Sequence, residues 1–432
     1  MSMLVQEVLE SVASIPDPYV RVITYAKVGE RLAKARKPVF KDAFIKALET
    51  AKEVDDPLKM LQALVSVGYM MGRAGIRSYK RVFLQVSEDS ALLPDKLRDG
   101  VMRSIALSLL RLGEIGEAVT YAVEIRDQRL RQETMVFIVR QVARSIERKP
   151  IRVAYSLRKI RLALEYITDE PYRSKALLEL MKAFIALKSY ENALATVRGM
   201  GSKGWARQAF KELIYRLKAQ GALEEYIGLI EELADEMVGR FGESFTQELA
   251  TAFALSGRGD VAAELMERLG DEGETVKLAL ELLRKYPRVL PSFLKALEPE
   301  TALSVGKAVM NAILERPERG DWEVIKAVVE KAGSEDILAK VARFYVLKGH
   351  AEEARKIGSA LDDLHLRSVV MADVARHYLG AGDIDRAINA ALEVRDTGYT
   401  SMLMSEILVK ALEAELGGGD GKVGKSPEEK GG

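Results

Sequence analysis

One spacing recurs along this sequence and limits what it can fold into: a glycine, a small residue five positions on, and an acidic residue nine further. Gly113, Ala118 and Asp127 follow it, as do Gly257, Ala262 and Asp271, then Gly349, Ala354 and Asp363, then Gly382, Ala387 and Asp396. Gly75, Lys80 and Asp89 keep it with lysine in the middle, and Gly221, Tyr226 and Asp235 with tyrosine; Lys188, Ala193 and Ser202 keep it with weaker residues. A fixed period decides the architecture before any local detail. Between these marks the apolar residues recur at three and four, as in Leu366, Val369, Val370, Val374 and Tyr378 before one glycine turn. Ile384, Ala387, Ile388, Ala391 and Leu392 do the same after it. That is the helical period. Each unit reads as a helical hairpin that must bury its apolar face against neighbours.

Taking the acidic residue as the start, units begin near Asp17, Asp56, Asp89, Asp127, Asp169, Ser202, Asp235, Asp271, Glu298, Glu330, Asp363 and Asp396. The residue twelve beyond a start is expected in the core, and only Gln247 among the twelve is neither apolar nor small. Asp17 and Asp56 precede Pro18 and Pro57, the pattern of an N-cap before proline at the first helical position. Arg21, Arg131, Arg173 and Arg367 stand four residues after Asp17, Asp127, Asp169 and Asp363, spaced for surface ion pairs. The expected organisation is helical repeats over 1–280, an irregular helical segment and possible hinge over 281–333, further repeats over 334–416, and a disordered tail over 417–432. Pro287, Pro291, Pro299 and Pro317 would mark breaks between helices in the middle segment.

Hairpins of about this length, with Gly29, Gly68, Ala342 and Ala375 late in the first helix and Ala118, Ala193, Ala262, Ala354 and Ala387 in the second, resemble the tetratricopeptide repeat. The resemblance covers roughly residues 4 to 416. It implies an all-α fold, a right-handed α-α superhelix of about a dozen hairpins, with the first helices lining an inner groove. The tryptophan and tyrosine of that family's first helix are mostly missing here.

Zero cysteines exclude disulfides, thiolate metal sites and cysteine nucleophiles. No apolar run approaches the roughly 18 residues that span a bilayer. The N-terminus does not read as a signal peptide, so a cytoplasmic location is expected. Few Asn and Gln with many Glu, Lys and Arg suggest a heat-adapted source.

Chemical motifs are weak. Gly419 to Ser426 matches the phosphate-loop pattern, yet neither the strand nor the helix that such a loop needs flanks it. Gly199, Gly201 and Gly204 match the dinucleotide fingerprint but fall at a junction between units, where left-handed glycine turns end helices. His350, His365 and His377 are too scattered for a helical metal face, and Asp373 with His377 reads as a surface hydrogen bond. No enzyme, cofactor or metal site is expected.

Charge is segregated. From Arg126 to Arg161 eleven Lys and Arg face three acids, whereas from Ala222 to Glu281 fifteen acids face four bases, so the net charge of +1 hides two opposite blocks. Mapped through the resemblance, Arg140, Lys175, Lys182, Lys211, Tyr215 and Lys218 face the groove and, with Arg144, form the expected partner-binding set; Arg284, Arg343 and Arg376 recur at the thirteenth position. The resemblance implies a clamp for an acidic peptide. The expected function is a non-catalytic scaffold for a protein partner. The alternative is an RNA- or DNA-binding repeat protein using the basic segment 126–218.

Overall fold

The computed structural model describes residues 3–151, 153–395 and 397–417; the phosphate-loop-like stretch, Asp396 and the tail beyond Gly417 lie outside them. Among the described residues the chain is all-α, with 24 α-helices and two short 3-10 turns. It divides into two compact units, Met1–Arg216 and Leu217–Gly432. The first contains α1 (Met3–Ala13), α2 (Pro18–Lys34), α3 (Phe40–Thr50), α4 (Pro57–Arg73), α5 (Tyr79–Ser90), α6 (Asp95–Arg111), α7 (Ile115–Val123), α8 (Gln128–Arg148), α9 (Val153–Glu165), α10 (Tyr172–Ala186) and α11 (Tyr190–Arg198). The division falls inside α12 (Lys203–Ala219). The second contains α13 (Leu223–Phe241), α14 (Ser244–Leu255), α15 (Gly259–Leu269), α16 (Glu272–Lys285), α17 (Leu290–Ala296), α18 (Pro299–Glu315), α19 (Trp322–Ala332), α20 (Glu335–Leu347), α21 (Ala351–Ser359), α22 (Leu364–Gly380), α23 (Ile384–Leu392) and α24 (Thr397–Gly417).

Within each unit the even-numbered helices open hairpins and the odd-numbered ones close them. An opening helix packs on its own partner and, along most of each unit, on the next opening helix, as α2 does on α3 and α4, and α20 on α21 and α22. Local sequence explains the starts. The carboxylates of Asp17, Asp56, Asp127, Asp271 and Asp363 accept amide protons of the first turn they precede, each satisfying donors that the helix itself leaves open.

The turns are equally local. Gly75, Gly113, Gly221, Gly257, Gly349 and Gly382 all have positive φ, and Lys188 takes the same left-handed conformation at φ 57°. After the turn the small residue meets the core: Ala118, Ala193, Ala262, Ala354 and Ala387 are all buried. Of the residues twelve beyond the expected starts, ten are buried; Gln247 is half-buried. Leu408 is 56% exposed, on the last described helix.

Three expected starts are displaced. Asp89 lies inside α5, Asp235 inside α13 and Glu330 inside α19; the following helices begin at Asp95, Ser244 and Glu335. The closing helices run past the repeat length, most of all α13 with 19 residues. The short interval from Asp271 to Glu298 has the opposite cause, a closing helix α17 of seven residues. The segment 281–333 lies inside the second unit and holds the end of α16, the seven-residue α17, α18, a 3-10 turn and α19. Its prolines do mark breaks: Pro291 and Pro299 sit in first turns, Pro317 opens a 3-10 turn and Pro287 follows α16.

The expected aspartate–arginine pairs do not form: Asp17, Asp127 and Asp363 are turned into their helix ends, and Asp169 accepts from Gln128 at 2.6 Å and Thr168 at 2.9 Å. Arg131 instead donates to the Ile125 carbonyl at 3.2 Å, and Arg173 to those of Leu164 and Ile167 at 3.3 and 3.1 Å. Each arginine thus meets carbonyls at or just beyond the end of a closing helix, where cations are favoured. Arg21 pairs with Glu53 at 2.5 Å. Acids of one opening helix also tie down the start of the next. Asp99, 1% exposed, accepts from the amides of Arg126 and Asp127 at 3.0 and 2.8 Å, and Glu335 from those of Asp362 and Asp363, both at 2.8 Å.

Candidate functional site

The basic residues singled out in the first unit stand on three successive opening helices. The 21-residue α8 carries Arg140 and Arg144, α10 carries Lys175 and Lys182, and α12 carries Lys211 and Tyr215. Lys218 is also on α12 but lies in the second unit, where it donates to Glu224 at 2.8 Å. That bond holds the Glu224 carboxyl below its ordinary value.

Arg140 and Lys182 are not free cations. The Nε of Arg140 donates to Glu179 Oε1 at 3.1 Å, and Lys182 approaches Glu179 at 3.8 Å and Glu212 at 3.5 Å. Glu212 in turn holds Arg216 at 2.9 Å, and Arg216 approaches Glu147 at 3.8 Å. Glu179 is buried and the others are half-buried, so this ladder of alternating charges is shielded from water on part of its length. Glu179 and Glu212 were missed in the sequence. Their signal is positional: each stands ten residues beyond a unit start, opposite a base thirteen beyond the start before it.

The same step recurs in the second unit, where Arg343 donates to Asp373 at 2.6 Å and Arg376 approaches Glu406 at 3.7 Å. Asp373 therefore accepts from Arg343 and not from His377, whose ring lies edge-on to Tyr378 at 6.0 Å. Arg284 stands elsewhere, on the wall of a cleft of about 470 Å³ with Lys277, Glu281, Arg316 and Arg319.

The remaining residues of the set present cations beside aromatic rings. Lys175 lies 5.7 Å from the centre of the Trp205 ring, and Lys211 lies 5.9 Å from that of Tyr215. All four side chains are half-buried. Each contact contributes on the order of 0.5–1 kcal/mol where water reaches it. Arg144 is exposed at the end of the series. The ladder thus fixes neighbouring opening helices in register while amphipathic Lys–Trp and Lys–Tyr pairs face outward beside it. Unit 1 also has an apolar cleft of about 490 Å³ lined by Phe40, Phe44, Ile45, Leu48, Met71 and Ile76.

The glycines of the dinucleotide-like stretch have a structural role. Gly199 caps α11 with φ −74°, and none of Gly199, Gly201 and Gly204 has the positive φ expected of them. The Gly201 amide donates to Glu170 Oε1 and to Ser174 Oγ, both at 3.1 Å, and a Cβ there would come within 2.8 Å of that carboxylate oxygen. No left-handed turn stands at this junction, and a Cβ at Gly201 would meet the carboxylate end of the Glu170 side chain.

No family model matches the chain, and no curated protein matches it. Among solved structures it is similar to the crystal structure of Ton1535 from Thermococcus onnurineus NA1, with 13% identity over 93% of this chain and 94% of that one and a TM-score of 0.26. A circular tandem repeat protein with novel repeat topology and enhanced subunit contact surfaces is similar at 13% identity, over 96% and 98% of the two chains, with a TM-score of 0.24.

Proposed function

We propose that the chain is a tetratricopeptide-like, right-handed superhelix of about a dozen hairpins, acting as a non-catalytic scaffold that holds an acidic peptide of a partner protein. The observation that carries the reading is the pairing of Lys175 with Trp205 and Lys211 with Tyr215 on adjacent opening helices. A flat ring and an ammonium side by side suit a peptide that alternates apolar and acidic side chains. The reading takes the opening helices as lining the concave face, with these pairs as the groove's contacts. Arg140 and Lys182 serve as its frame, because their charge is answered by Glu179 and Glu212.

The test separates frame from contact. Proteins retained by the tagged wild-type chain from cells of its source are compared with those retained by a Lys175→Glu/Lys211→Glu variant. Selective loss of one or more proteins, with helicity unchanged by circular dichroism, is expected. Identical retention by both chains would refute the clamp.

A further inference from the structure

The α8–α9 hairpin carries a second concentration of positive charge whose chemistry differs from that of the ladder. From Arg144 to Arg161 there are seven Lys and Arg and one acid, Glu147, and that acid is directed toward Arg216. Arg148, Lys149, Arg158 and Arg161 are all exposed, and among the described residues no carboxylate forms an ion pair with any of them. Elsewhere in the same unit Arg21, Arg126, Arg129 and Lys80 each hold a carboxylate. Beyond Glu147, the one acid near these cations is Glu165, four residues after Arg161 on α9, and it forms no ion pair with Arg161.

The cations are accompanied by rings. Tyr155 is 38% exposed in the first turn of α9, with the Arg158 guanidinium 5.9 Å and the Lys159 ammonium 5.6 Å from its centre. The Lys159 ammonium lies over Gly116 of α7, where a Cβ would come within 2.7 Å of it. Tyr166, 42% exposed, directly follows the last residue of α9. Eleven residues of helical rise place the two tyrosines about 16 Å apart, with Arg158 between them in sequence. Arg148 closes α8 at its negative dipole end, and Lys149 begins the turn back.

We propose that this face of the α8–α9 hairpin binds single-stranded nucleic acid, with Arg148, Lys149, Arg158 and Arg161 on backbone phosphates and Tyr155 and Tyr166 beneath unpaired bases. Guanidinium forks match phosphate oxygens in pairs. A tyrosine face accepts any base by stacking, whereas in a duplex those base faces are covered. A purely acidic peptide would use the cations and leave the rings without partners.

Fluorescence anisotropy of a labelled poly(U) oligonucleotide with the full chain tests this. Micromolar binding at about 50 mM salt is expected, with a log–log salt slope of roughly −3, as four phosphate contacts on a single strand require. An Arg148→Glu/Arg158→Glu/Arg161→Glu variant should lose at least about tenfold in affinity. Tyr155→Ala should lose about fivefold or more and Tyr155→Phe should retain binding, since the ring face supplies the stacking. The Lys175→Glu/Lys211→Glu variant should bind the strand as wild type does, which keeps this result separate from that of the peptide clamp. The proposal is overturned if the wild type shows no salt-sensitive binding, if the triple variant or Tyr155→Ala binds as tightly as wild type, or if polyglutamate displaces the strand as well as poly(U) does.

Discussion

Glu179 sits between Arg140 and Lys182, accepting from the first at 3.1 Å and lying 3.8 Å from the second. The three residues come from two opening helices, and equivalent contacts between successive opening helices join Lys182 to Glu212, Arg343 to Asp373 and Arg376 to Glu406. A carboxylate 8% exposed at the side chain and shared by two cations is a structural element of the stack. Glu179→Ala should therefore lower stability by about 3 kcal/mol, because it leaves the partly buried Arg140 without its carboxylate and Lys182 with Glu212 alone. Urea unfolding of the wild type and the variant measures this. A loss within the range of an exposed pair, under about 1 kcal/mol, would show that the ladder is ornamental.

Gly68 faces the Phe83 ring so closely that a Cβ would lie 2.8 Å from its Cε1 atom, and Gly29 faces Phe44 in the same way at 2.9 Å. Phe83 is fully buried and has little room to retreat. Gly68→Ala is expected to destabilise by about 1–3 kcal/mol through overpacking. Phe83→Leu should cost less in the Gly68→Ala background than alone. A double-mutant cycle additive to within about 0.5 kcal/mol would mean that the two positions are not coupled.

The left-handed turns make opposite predictions for glycine and for lysine. Gly349 has φ 83°, so Gly349→Val should lower stability by about 1–2 kcal/mol. Lys188 already carries that conformational cost at φ 57°. Lys188→Gly should raise stability by about 0.5 kcal/mol, the relief of strain slightly exceeding the entropy that glycine loses on folding. Thermal midpoints of the two variants should shift in opposite directions.

Tyr79 and Tyr378 are pushed up to about 12, chiefly by burial, and further by hydrogen bonds to Glu114 at 3.2 Å and Glu352 at 2.7 Å. Their phenols stay protonated in the folded chain when an unfolded tyrosine, at about 10, would already ionise. Their contribution to stability is thus complete below about pH 10 and is lost as pH rises from 10 toward 12. An ultraviolet titration should show these two tyrosines ionising late. Tyr79→Phe/Tyr378→Phe should remove that late phase and soften the alkaline loss of stability.

The hairpins are legible along the chain, because their ends depend on neighbours within one helical turn. Asp17, Asp56, Asp127, Asp271 and Asp363 cap the helices they precede, and the six positive-φ glycines of the spacing stand in the turns it marked. The register slipped at Asp89, Asp235 and Glu330, where the closing helix runs on past the repeat. No local signal sets that length, since a helix continues for as long as its face finds something to pack against. The character of the candidate site was decided by tertiary structure. Arg140 and Lys182 look in sequence like Arg148 and Arg158, yet the stacking of α8 on α10 brings Glu179 to the first pair, while no carboxylate pairs with the second. Sequence counts charges along the chain; whether a charge is answered depends on residues some 39 positions away, and only the offset between packed helices brings them within reach.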